Sequence, residues 1–323
     1  MRSFVAMSSQ LDNQKPALSE EQISLRLRAI ANGFRDQFRA PILRTPADQH
    51  LDFENVTFPS EDGVPLEGWF VPRAGSSKLV IANHPRWFNR YGCPTHIEPW
   101  KSLGAVAGND FEVNFIPDYK ILHDAGYNVL AYDLRNHGHS GSGNGSLVSS
   151  GRYESRDVIG SLDYIRSRAD LRSMATGLFS RCLGCNATMF AISRRPDKFS
   201  DVRCLVGVQP LSVRAIMTRM LALMGIPPER MNELDQNIRL VTSFKLDDLS
   251  PVEPAKDVRI PSFIYQVRDD LMTCPEDVQA IFDNIPAAAK ELYWIEGTTR
   301  RWDGYTYFSR NPHRMLAWLE KHV

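Results

Sequence analysis

The segment of this sequence best suited to covalent chemistry is a cysteine between a predicted strand and a predicted helix. The strand covers 176–179, the helix begins at Leu183, and Cys182 lies at the turn that joins them. Ser180 and Gly184, two residues away on each side, are small, as a sharp turn with a strained apex requires. The helix N-terminus directs amides and a positive dipole end at the sulfur, which favours the thiolate, and the Leu183 amide can donate to an oxyanion. The pattern therefore predicts that Cys182 is a nucleophile.

Other roles for this cysteine are less consistent with the sequence. Cys182 and Cys185 form a C-x-x-C pair, but the thioredoxin-like context of a redox pair is missing. The sequence also lacks the second cysteine pair that a structural zinc site would need. Free cysteines are often small residues buried in the core, so the alternative is that Cys182 is buried and has no chemical role. We expect no metal and no organic cofactor, because the sequence shows no motif for either.

An amphipathic helix is predicted near the N-terminus. Ser19 and Gln22 fit a capping box, and Pro41 and Pro46 end the helical pattern. Apolar residues recur between them at helical spacing. They are Ile23, Leu27, Ile30, Phe34 and Phe38. We therefore predict an N-terminal helical extension over residues 1–50 that docks on the rest of the chain through this stripe.

Residues 51–323 alternate between predicted strands and predicted helices. The strands are expected at 56–58, 66–71, 79–82, 127–132, 176–179, 202–208, 262–267 and 291–295. The helices are expected at 117–125, 157–168, from 183 onward, at 275–282 and at 312–321. Such alternation predicts an α/β domain with a doubly wound, mostly parallel sheet.

Two segments are too long for ordinary connections between strands and helices. Residues 86–114 are loop-like, and residues 211–255 contain a helical run over 215–224 that is rich in methionine. Insertions of this kind commonly form a lid over an active site, and methionine adapts to irregular apolar shapes. We expect 211–255 to be a lid and the substrate to be a small molecule with an apolar portion. The alternative is that both segments pack as extra elements and shape no site.

The order of these features resembles the α/β-hydrolase superfamily, from about Phe53 to the C-terminus. The nucleophile-elbow pattern of that superfamily is matched with cysteine in place of the usual serine. Asn83-His84-Pro85 follows the third strand, where relatives carry a His-Gly oxyanion motif, and 125–129 and 132–140 resemble further family segments. A cysteine at this apex is similar to dienelactone hydrolases and to some thioesterases.

The resemblance implies an acid after the strand that follows the lid. Asp270 is the first choice there, and Asp269 is the alternative because the register is ambiguous by one residue. One or both aspartates could instead cap the helix that begins near Pro275.

The histidine that the resemblance implies is missing from its position after the last strand. The sequence has no histidine between His139 and His313, and Arg300 or Arg301 occupies that position. Arginine stays protonated and cannot be a general base. It can hold a thiolate or pair with Asp270.

The turn after the third strand offers two further site residues. His84 is a candidate catalytic residue, and the alternative is that its ring only braces the turn by hydrogen bonding. Pro85 has no amide hydrogen, so Arg86 is the better oxyanion donor beside Leu183.

The composition excludes several classes of partner. The 38 basic and 38 acidic residues balance, so no positive excess indicates nucleic acid or an anionic membrane. The sequence contains no apolar run of about 18 residues for a membrane span, and 1–10 lacks the apolar run of a signal peptide. Five cysteines in 323 residues favour a reduced, cytoplasmic setting. The oligomeric state stays open, with a homodimer as one option.

These observations predict an acyl hydrolase or acyl transferase that acts on an ester, lactone or thioester through Cys182. A cysteine thiolate is nucleophilic without a strong base, which reduces the importance of the missing histidine. Two alternatives stay open, because a fold does not determine a function. One is a non-hydrolytic enzyme such as a lyase, cyclase or isomerase. The other is a catalytically silent binding protein.

Overall fold

An eight-stranded sheet organises the protein. The computed structural model describes residues 18–35, 38–105 and 107–323. The strands in these ranges are β1 (Glu54–Pro59), β2 (Pro65–Val71), β3 (Lys78–Asn83), β4 (Gly92–Cys93), β5 (Val113–Asn114), β6 (Asn128–Tyr132), β7 (Ala175–Arg181), β8 (Val202–Val208), β9 (Ser262–Val267) and β10 (Lys290–Ile295). The sheet order is β1-β2-β6-β3-β7-β8-β9-β10, and β4 pairs with β5. Two pairs in this sheet, β1–β2 and β2–β6, are antiparallel. The other five pairs are parallel, so the predicted mostly parallel sheet is confirmed.

Helices cover both faces of this sheet. They are α1 (Glu20–Asn32), α2 (Trp100–Ala105), α3 (Ile116–Asp124), α4 (Ser155–Ser167), α5 (Leu183–Arg194), α6 (Val213–Leu223), α7 (Met231–Thr242), α8 (Pro275–Asn284), α9 (Arg301–Tyr305), α10 (Tyr307–Arg310) and α11 (His313–His322). On one face, apolar side chains of α4, α5 and α8 form a core with the sheet. On the other face, α3 and α11 do the same. The sheet is therefore doubly wound, as predicted.

The central strands are apolar on both faces because helices cover both. In β3, Val80 contributes to the core beside α3, and Ile81 contributes to the core beside α4 and α5. Leu178 and Phe179 of β7 divide between the two cores in the same way. Short runs of this kind are typical of buried parallel strands.

The N-terminal helix packs on the 211–255 segment. Ser19 and Gln22 make the predicted capping box at the start of α1. Leu27 lies in a third core with Val213 of α6 and Leu234 of α7. Phe38 does not continue the stripe, because α1 ends at Asn32 and the Phe38 side chain is 54% exposed. Together, α1, α6 and α7 form a helical unit that we call the cap. Residues 1–17 of the predicted extension lie outside the described ranges.

The segment 86–114 contains its own structure. It holds α2 and the short antiparallel pair β4–β5, and Phe88 and Tyr91 are buried in the core beside α3. The loop-like interpretation is therefore wrong only for these short elements, and the other described residues of the segment lie outside helices and strands. Within 18–35, 38–105 and 107–323, no helix combines the length and apolar character needed to cross a membrane. The prediction about a signal peptide at 1–10 lies outside the described residues.

Candidate active site

Cys182 lies at a sharp turn between β7 and α5. Its backbone has φ 48° and ψ −109°, in a left-handed region that residues with side chains rarely adopt. The Cys182 amide donates to the Val208 carbonyl at 2.7 Å, and the Cys182 carbonyl accepts from the Asn186 amide at 2.9 Å. The strained residue is therefore held by β8 on one side and by α5 on the other. The cysteine is partly exposed, so it is not enclosed in the packed interior.

Small residues around the turn let β3 and α5 approach each other. A Cβ built on Gly184 would lie 2.6 Å from the Asn83 Cβ, which is too close for any larger residue. The Gly184 amide donates to the His84 carbonyl at 3.1 Å. The Ser180 hydroxyl accepts from the Asn83 side-chain amide at 2.9 Å. These contacts bring the turn after β3 next to Cys182.

The two segments predicted to supply oxyanion donors meet at this point. Leu183 is the first residue of α5, where a backbone amide has no acceptor within its own helix. Arg86 follows His84 in the turn that bonds to Gly184. Their role as oxyanion donors stays a prediction.

Asp270, not Asp269, reaches the interior of the site. Asp269 is exposed, whereas Asp270 is buried. The Asp270 carboxylate accepts from the Met272 amide at 2.9 Å and from the Gln266 side chain at 3.2 Å. A buried carboxylate needs a charged partner as well as these neutral donors.

Arg301 is that partner, and the assignment of Arg300 to the site was wrong. The Arg300 side chain is 48% exposed and pairs with Asp303 at 2.9 Å. Arg301 is buried, and its Nη1 donates to Asp270 at 2.6 Å. Its Nη2 donates to the Gln209 carbonyl, and its Nε donates to the Tyr305 hydroxyl at 2.8 Å.

The position that a histidine would occupy therefore holds a fixed positive charge. Burial opposes the charge of Arg301, but Tyr305, Asp270 and the Cys182 thiol outweigh burial and hold the pKa of the guanidinium well above its usual range. The backbone brings Arg301 near the turn, because Arg301 donates to the Gln209 carbonyl and the adjacent Val208 carbonyl accepts from the Cys182 amide. This group can stabilise a negative charge but cannot accept a proton.

Tyr305 is a site residue that sequence reasoning missed. Burial raises the pKa of its hydroxyl well above 10, and the neighbouring Cys182 thiol raises it further against the opposing effect of Arg301. The hydroxyl therefore stays protonated, and it accepts from Arg301 Nε at 2.8 Å. One signal was available, because Arg301 and Tyr305 are four residues apart and lie on one face of a short helix, α9.

His84 is a brace for the turn and not a base, which corrects its assignment as a catalytic residue. Its Nδ1 bonds to the Pro85 carbonyl at 2.7 Å, so Nδ1 carries the proton. Its Nε2 accepts from the Leu134 amide at 2.9 Å. Burial, helped by the nearby His137, holds the pKa of the ring well below 6.5. Both nitrogens are occupied, so the ring has no free acceptor for a substrate proton.

The Arg86 side chain adds a second cation in the turn that lies next to Cys182. Burial lowers the pKa of Arg86 to about 10, although Glu154 and Cys182 oppose the shift, so the group is charged at neutral pH. Its Nη2 donates to the Gly33 carbonyl at 2.6 Å, and its guanidinium lies 5.0 Å from the Phe34 ring centroid. The C-terminal end of α1 in the cap therefore contacts the turn beside Cys182.

The C-x-x-C pair is not oxidised in this structure. Cys182 and Cys185 are both free, and Cys185 is fully buried. Burial raises the pKa of the Cys185 thiol above its usual range, so Cys185 is a poor redox partner. Among the described residues, no group of three or more histidine, cysteine, aspartate or glutamate side chains could hold a metal ion.

Comparisons by sequence find remote relatives. No model of a protein family matches the chain. The uncharacterized protein YfhR of Salmonella typhimurium is 27% identical over 149 residues, which are 46% of this chain and 42% of that protein. The YfhR protein of Salmonella typhi matches to the same extent. The matched segment thus spans less than half the length of these relatives.

Comparisons of structure cover most of the chain. An esterase from Pyrococcus furiosus superposes with a TM-score of 0.66 and 20% identity, over 90% of this chain and 98% of the esterase. A dienelactone hydrolase from Anabaena variabilis superposes with a TM-score of 0.51 and 15% identity, over 84% of this chain and 99% of that protein. With the strand order and the sharp turn at Cys182, these similarities show that the chain has the α/β-hydrolase fold.

Proposed function

We propose that this protein is an acyl hydrolase or acyl transferase that acts on an ester, lactone or thioester through Cys182. The observation that carries the proposal is the conformation of Cys182, with φ 48° at the apex of a strand-to-helix turn and a partly exposed side chain. A strained apex of this kind presents a side chain above the sheet edge. The structural similarity to esterases supports the same class of reaction.

The first step is attack by the Cys182 thiolate on the carbonyl carbon of the substrate. The Leu183 and Arg86 amides then hold the negatively charged oxygen of the tetrahedral intermediate. The bond from the carbonyl carbon to the leaving group then breaks, the leaving group departs with the bonding electrons and takes a proton from solvent where it needs one, and an acyl group stays on the sulfur. Attack on that acyl group by water, in a hydrolase, or by another nucleophile, in a transferase, breaks the C–S bond and releases the Cys182 thiolate, while the proton of the attacking group goes to solvent. Arg301 carries a positive charge and donates to the Tyr305 hydroxyl at 2.8 Å, and we propose that these two groups stabilise the negative charge that develops on the reacting atoms.

Asp270 acts through Arg301 and not on the substrate. The 2.6 Å contact with Nη1 compensates the buried guanidinium charge. The Gln209 carbonyl and the Tyr305 hydroxyl accept from the other two nitrogens and complete the orientation of Arg301. Asp270 and Gln209 are therefore positioning residues for Arg301 and Tyr305.

The methionines of the 211–255 segment do not support an apolar substrate. Met217 is buried in the core of the cap, and Met220 and Met224 pack against that core. These three methionines therefore give no support to the expectation that the substrate has an apolar portion. A small molecule as the partner, a cytoplasmic setting and a homodimer stay predictions.

Intact-mass measurement after incubation with acyl substrates tests the proposal. Full-length protein is mixed with p-nitrophenyl esters and with acyl thioesters of several chain lengths. An adduct of one acyl group is expected in the wild type and in Cys274→Ala, which removes another partly exposed cysteine. The adduct should disappear in Cys182→Ala. Turnover that survives Cys182→Ala would reject the proposal.

A catalytically silent binding protein is the second candidate, and the buried Arg301 beside Cys182 favours it. A permanent cation at the position of the base removes the usual route for activating water. On this hypothesis, p-nitrophenyl esters raise the melting temperature of the protein without turnover or adduct. An adduct on Cys182 would exclude it.

A further inference from the structure

We propose that a buried site on the α3 side of the sheet binds ordered water between Arg181, Asp118 and Tyr265, and that this water helps to hold the turn at Cys182. Buried water of this kind is part of a protein structure when it bonds to polar groups that have no other partner. The inference goes beyond the proposed function, because it needs neither an acyl group nor a reaction. It follows from the hydrogen bonds that these three side chains do and do not make.

Arg181 is a buried cation that the protein satisfies only in part. Its side chain is fully buried, and its Nη2 donates to Asp118 Oδ2 at 2.7 Å. In the described part of the chain, no group accepts a hydrogen bond from its Nε or Nη1. Arg301 differs, since it is also buried but all three of its nitrogens have acceptors. A buried charged donor without an acceptor is costly, so the two unbonded nitrogens of Arg181 indicate a bound ligand.

Two buried aromatic rings pack against this guanidinium. Its central carbon lies 4.2 Å from the Phe115 ring centroid and 3.9 Å from the Phe179 ring centroid. The rings attract the cation through their electrons. An N–H contact with a ring is much weaker than a hydrogen bond to oxygen, so the rings do not replace the missing acceptors. Their close packing favours a ligand as small as water.

Tyr265 brings another unbonded polar group to the same face of the sheet. Arg181 of β7 is in register with Val208 of β8, and Val208 is in register with Tyr265 of β9. Residues in register on neighbouring parallel strands direct their side chains to one face, so the arginine and the tyrosine extend from one level of the sheet. Both side chains are longer than the valine between them, and their polar ends can approach each other over it. Tyr265 is fully buried, and its hydroxyl makes no hydrogen bond to any described residue.

Asp118 decides which ligand fits. Its Oδ1 is buried and has no hydrogen-bond partner within the described ranges, and the neighbouring Ser309 hydroxyl donates instead to the Thr306 carbonyl at 2.9 Å. Burial raises the pKa of Asp118 to about 7, although Arg181 opposes the shift. The carboxylate therefore lacks the polar contacts that would keep its pKa low. Water can accept from Arg181 and donate to Asp118 at the same time, whereas an anion without a proton cannot donate and is repelled by the carboxylate.

This site lies directly behind the turn that presents the cysteine. Arg181 is the residue before Cys182, and the amide of Cys182 donates to the Val208 carbonyl at 2.7 Å. Asp118 belongs to α3, so the ion pair connects this helix to the end of β7. Water bound to Arg181 fixes its side chain and, with it, the end of the strand from which the strained residue continues.

The sign of a stability change in the full-length protein tests the proposal. A hydroxyl that binds water contributes to stability, so Tyr265→Phe should lower the melting temperature by about 2 °C. A buried hydroxyl without any partner destabilises the protein, so a higher melting temperature in Tyr265→Phe would overturn the proposal. Tyr119→Phe is the matched control, because its buried hydroxyl donates to the Arg90 carbonyl at 2.6 Å and its removal should lower the melting temperature.

A second measurement detects the water in the wild-type protein. With isotope-labelled arginine, the Nε proton of Arg181 should show a nuclear Overhauser cross-peak to a long-lived water molecule. The signal is assigned by its loss in Arg181→Lys or, where that variant does not fold, by its displacement in Asp118→Asn. An Arg181 signal without a cross-peak to water would overturn the proposal.

Chloride distinguishes water from an anion at the same site. The difference in melting temperature between wild type and Tyr265→Phe should stay constant as the chloride concentration rises. A difference that grows with chloride would identify an anion as the ligand and would overturn the proposal. None of these measurements uses acylation of Cys182, so a failure of the proposed function would leave their outcome unchanged.

Discussion

Replacement of Asp270 by asparagine is the sharpest test of how the site is built. The substitution removes the negative partner of a buried guanidinium, and with the oxygen kept toward Arg301 it also turns an NH2 group toward the Met272 amide, which then loses its acceptor. Opposite charges 2.6 Å apart attract by about 6 kcal/mol at an effective dielectric constant of about 20. The asparagine oxygen can still accept from Arg301 Nη1, so about half of this is expected to be lost. We therefore expect Asp270→Asn to lower the free energy of unfolding by about 3 kcal/mol, near the lower end of the range for breaking a buried pair.

Asp269→Asn is the matched control. The two aspartates are adjacent and receive the same chemical change, but Asp269 is exposed. Its substitution should alter the free energy of unfolding by less than about 0.5 kcal/mol. Urea unfolding followed by circular dichroism measures both variants under one set of conditions.

A double variant separates the charge pair from general damage. In Asp270→Asn/Arg301→Met both charges are gone, and methionine fills much of the space of the arginine stem. The double variant should be more stable than the sum of the two single losses predicts, with a coupling of about 1–3 kcal/mol. Acyl-adduct formation should fall by about 10-fold or more in Asp270→Asn, since small displacements of site groups reduce rates strongly. Equal stability losses in Asp269→Asn and Asp270→Asn, or strict additivity in the double variant, would refute the reasoning.

Three further predictions concern the turn, the buried histidines and the cap. Gly184→Ala should destabilise the protein by about 1–3 kcal/mol, because the added Cβ would lie 2.6 Å from the Asn83 Cβ. It should also abolish adduct formation in the intact-mass assay. A stable variant that still forms the adduct would contradict the close approach of β3 and α5. Burial lowers the pKa of His137 from 6.5 to about 4, so the stability contributed by the neutral ring is lost as the pH falls below 6.5. The difference in unfolding free energy between wild type and His137→Asn should therefore drop by about 3 kcal/mol from about pH 7 to about pH 4. A difference that stays constant over this range would disprove the shift. Leu27→Ala should cost about 2–5 kcal/mol in urea unfolding, whereas Leu25→Ala, at a site 68% exposed, should cost less than about 0.5 kcal/mol.

The turn at Cys182 was predictable because its signals are local. A β-forming run, a small residue on each side of the cysteine and a following helix all lie between 176 and 194. The need for Ser180 and Gly184 to be small follows from backbone geometry at one point of the chain. The alternation of strands and helices was predictable for the same reason, since each element carries its own apolar pattern.

The choice between neighbouring residues was not predictable from local pattern. Arg300 and Arg301 have the same charge and differ by one position, and only the distant Gln209 carbonyl and Asp270 carboxylate decide which of them is buried. The same long-range contact separates Asp270 from the exposed Asp269. The point where the apolar stripe of α1 ends also depends on tertiary packing. Leu27 packs in the core of the cap, whereas Phe38 lies beyond the end of the helix at Asn32.

Buried Arg301 occupies the position where a histidine base was expected, and stability alone does not account for a buried arginine there. A buried guanidinium loses several kcal/mol of hydration, and apolar side chains of similar volume are often as stable or more stable there. This chain instead supplies an acceptor for each of the three nitrogens of Arg301, drawn from β8, β9 and α9 and their ends. The same arrangement holds the guanidinium against the Gln209 carbonyl, one residue beyond the Val208 carbonyl that accepts from the amide of the strained Cys182. An arrangement with this desolvation penalty is explained better by a function than by stability, and the stabilisation of negative charge in the proposed acyl transfer through Cys182 is such a function.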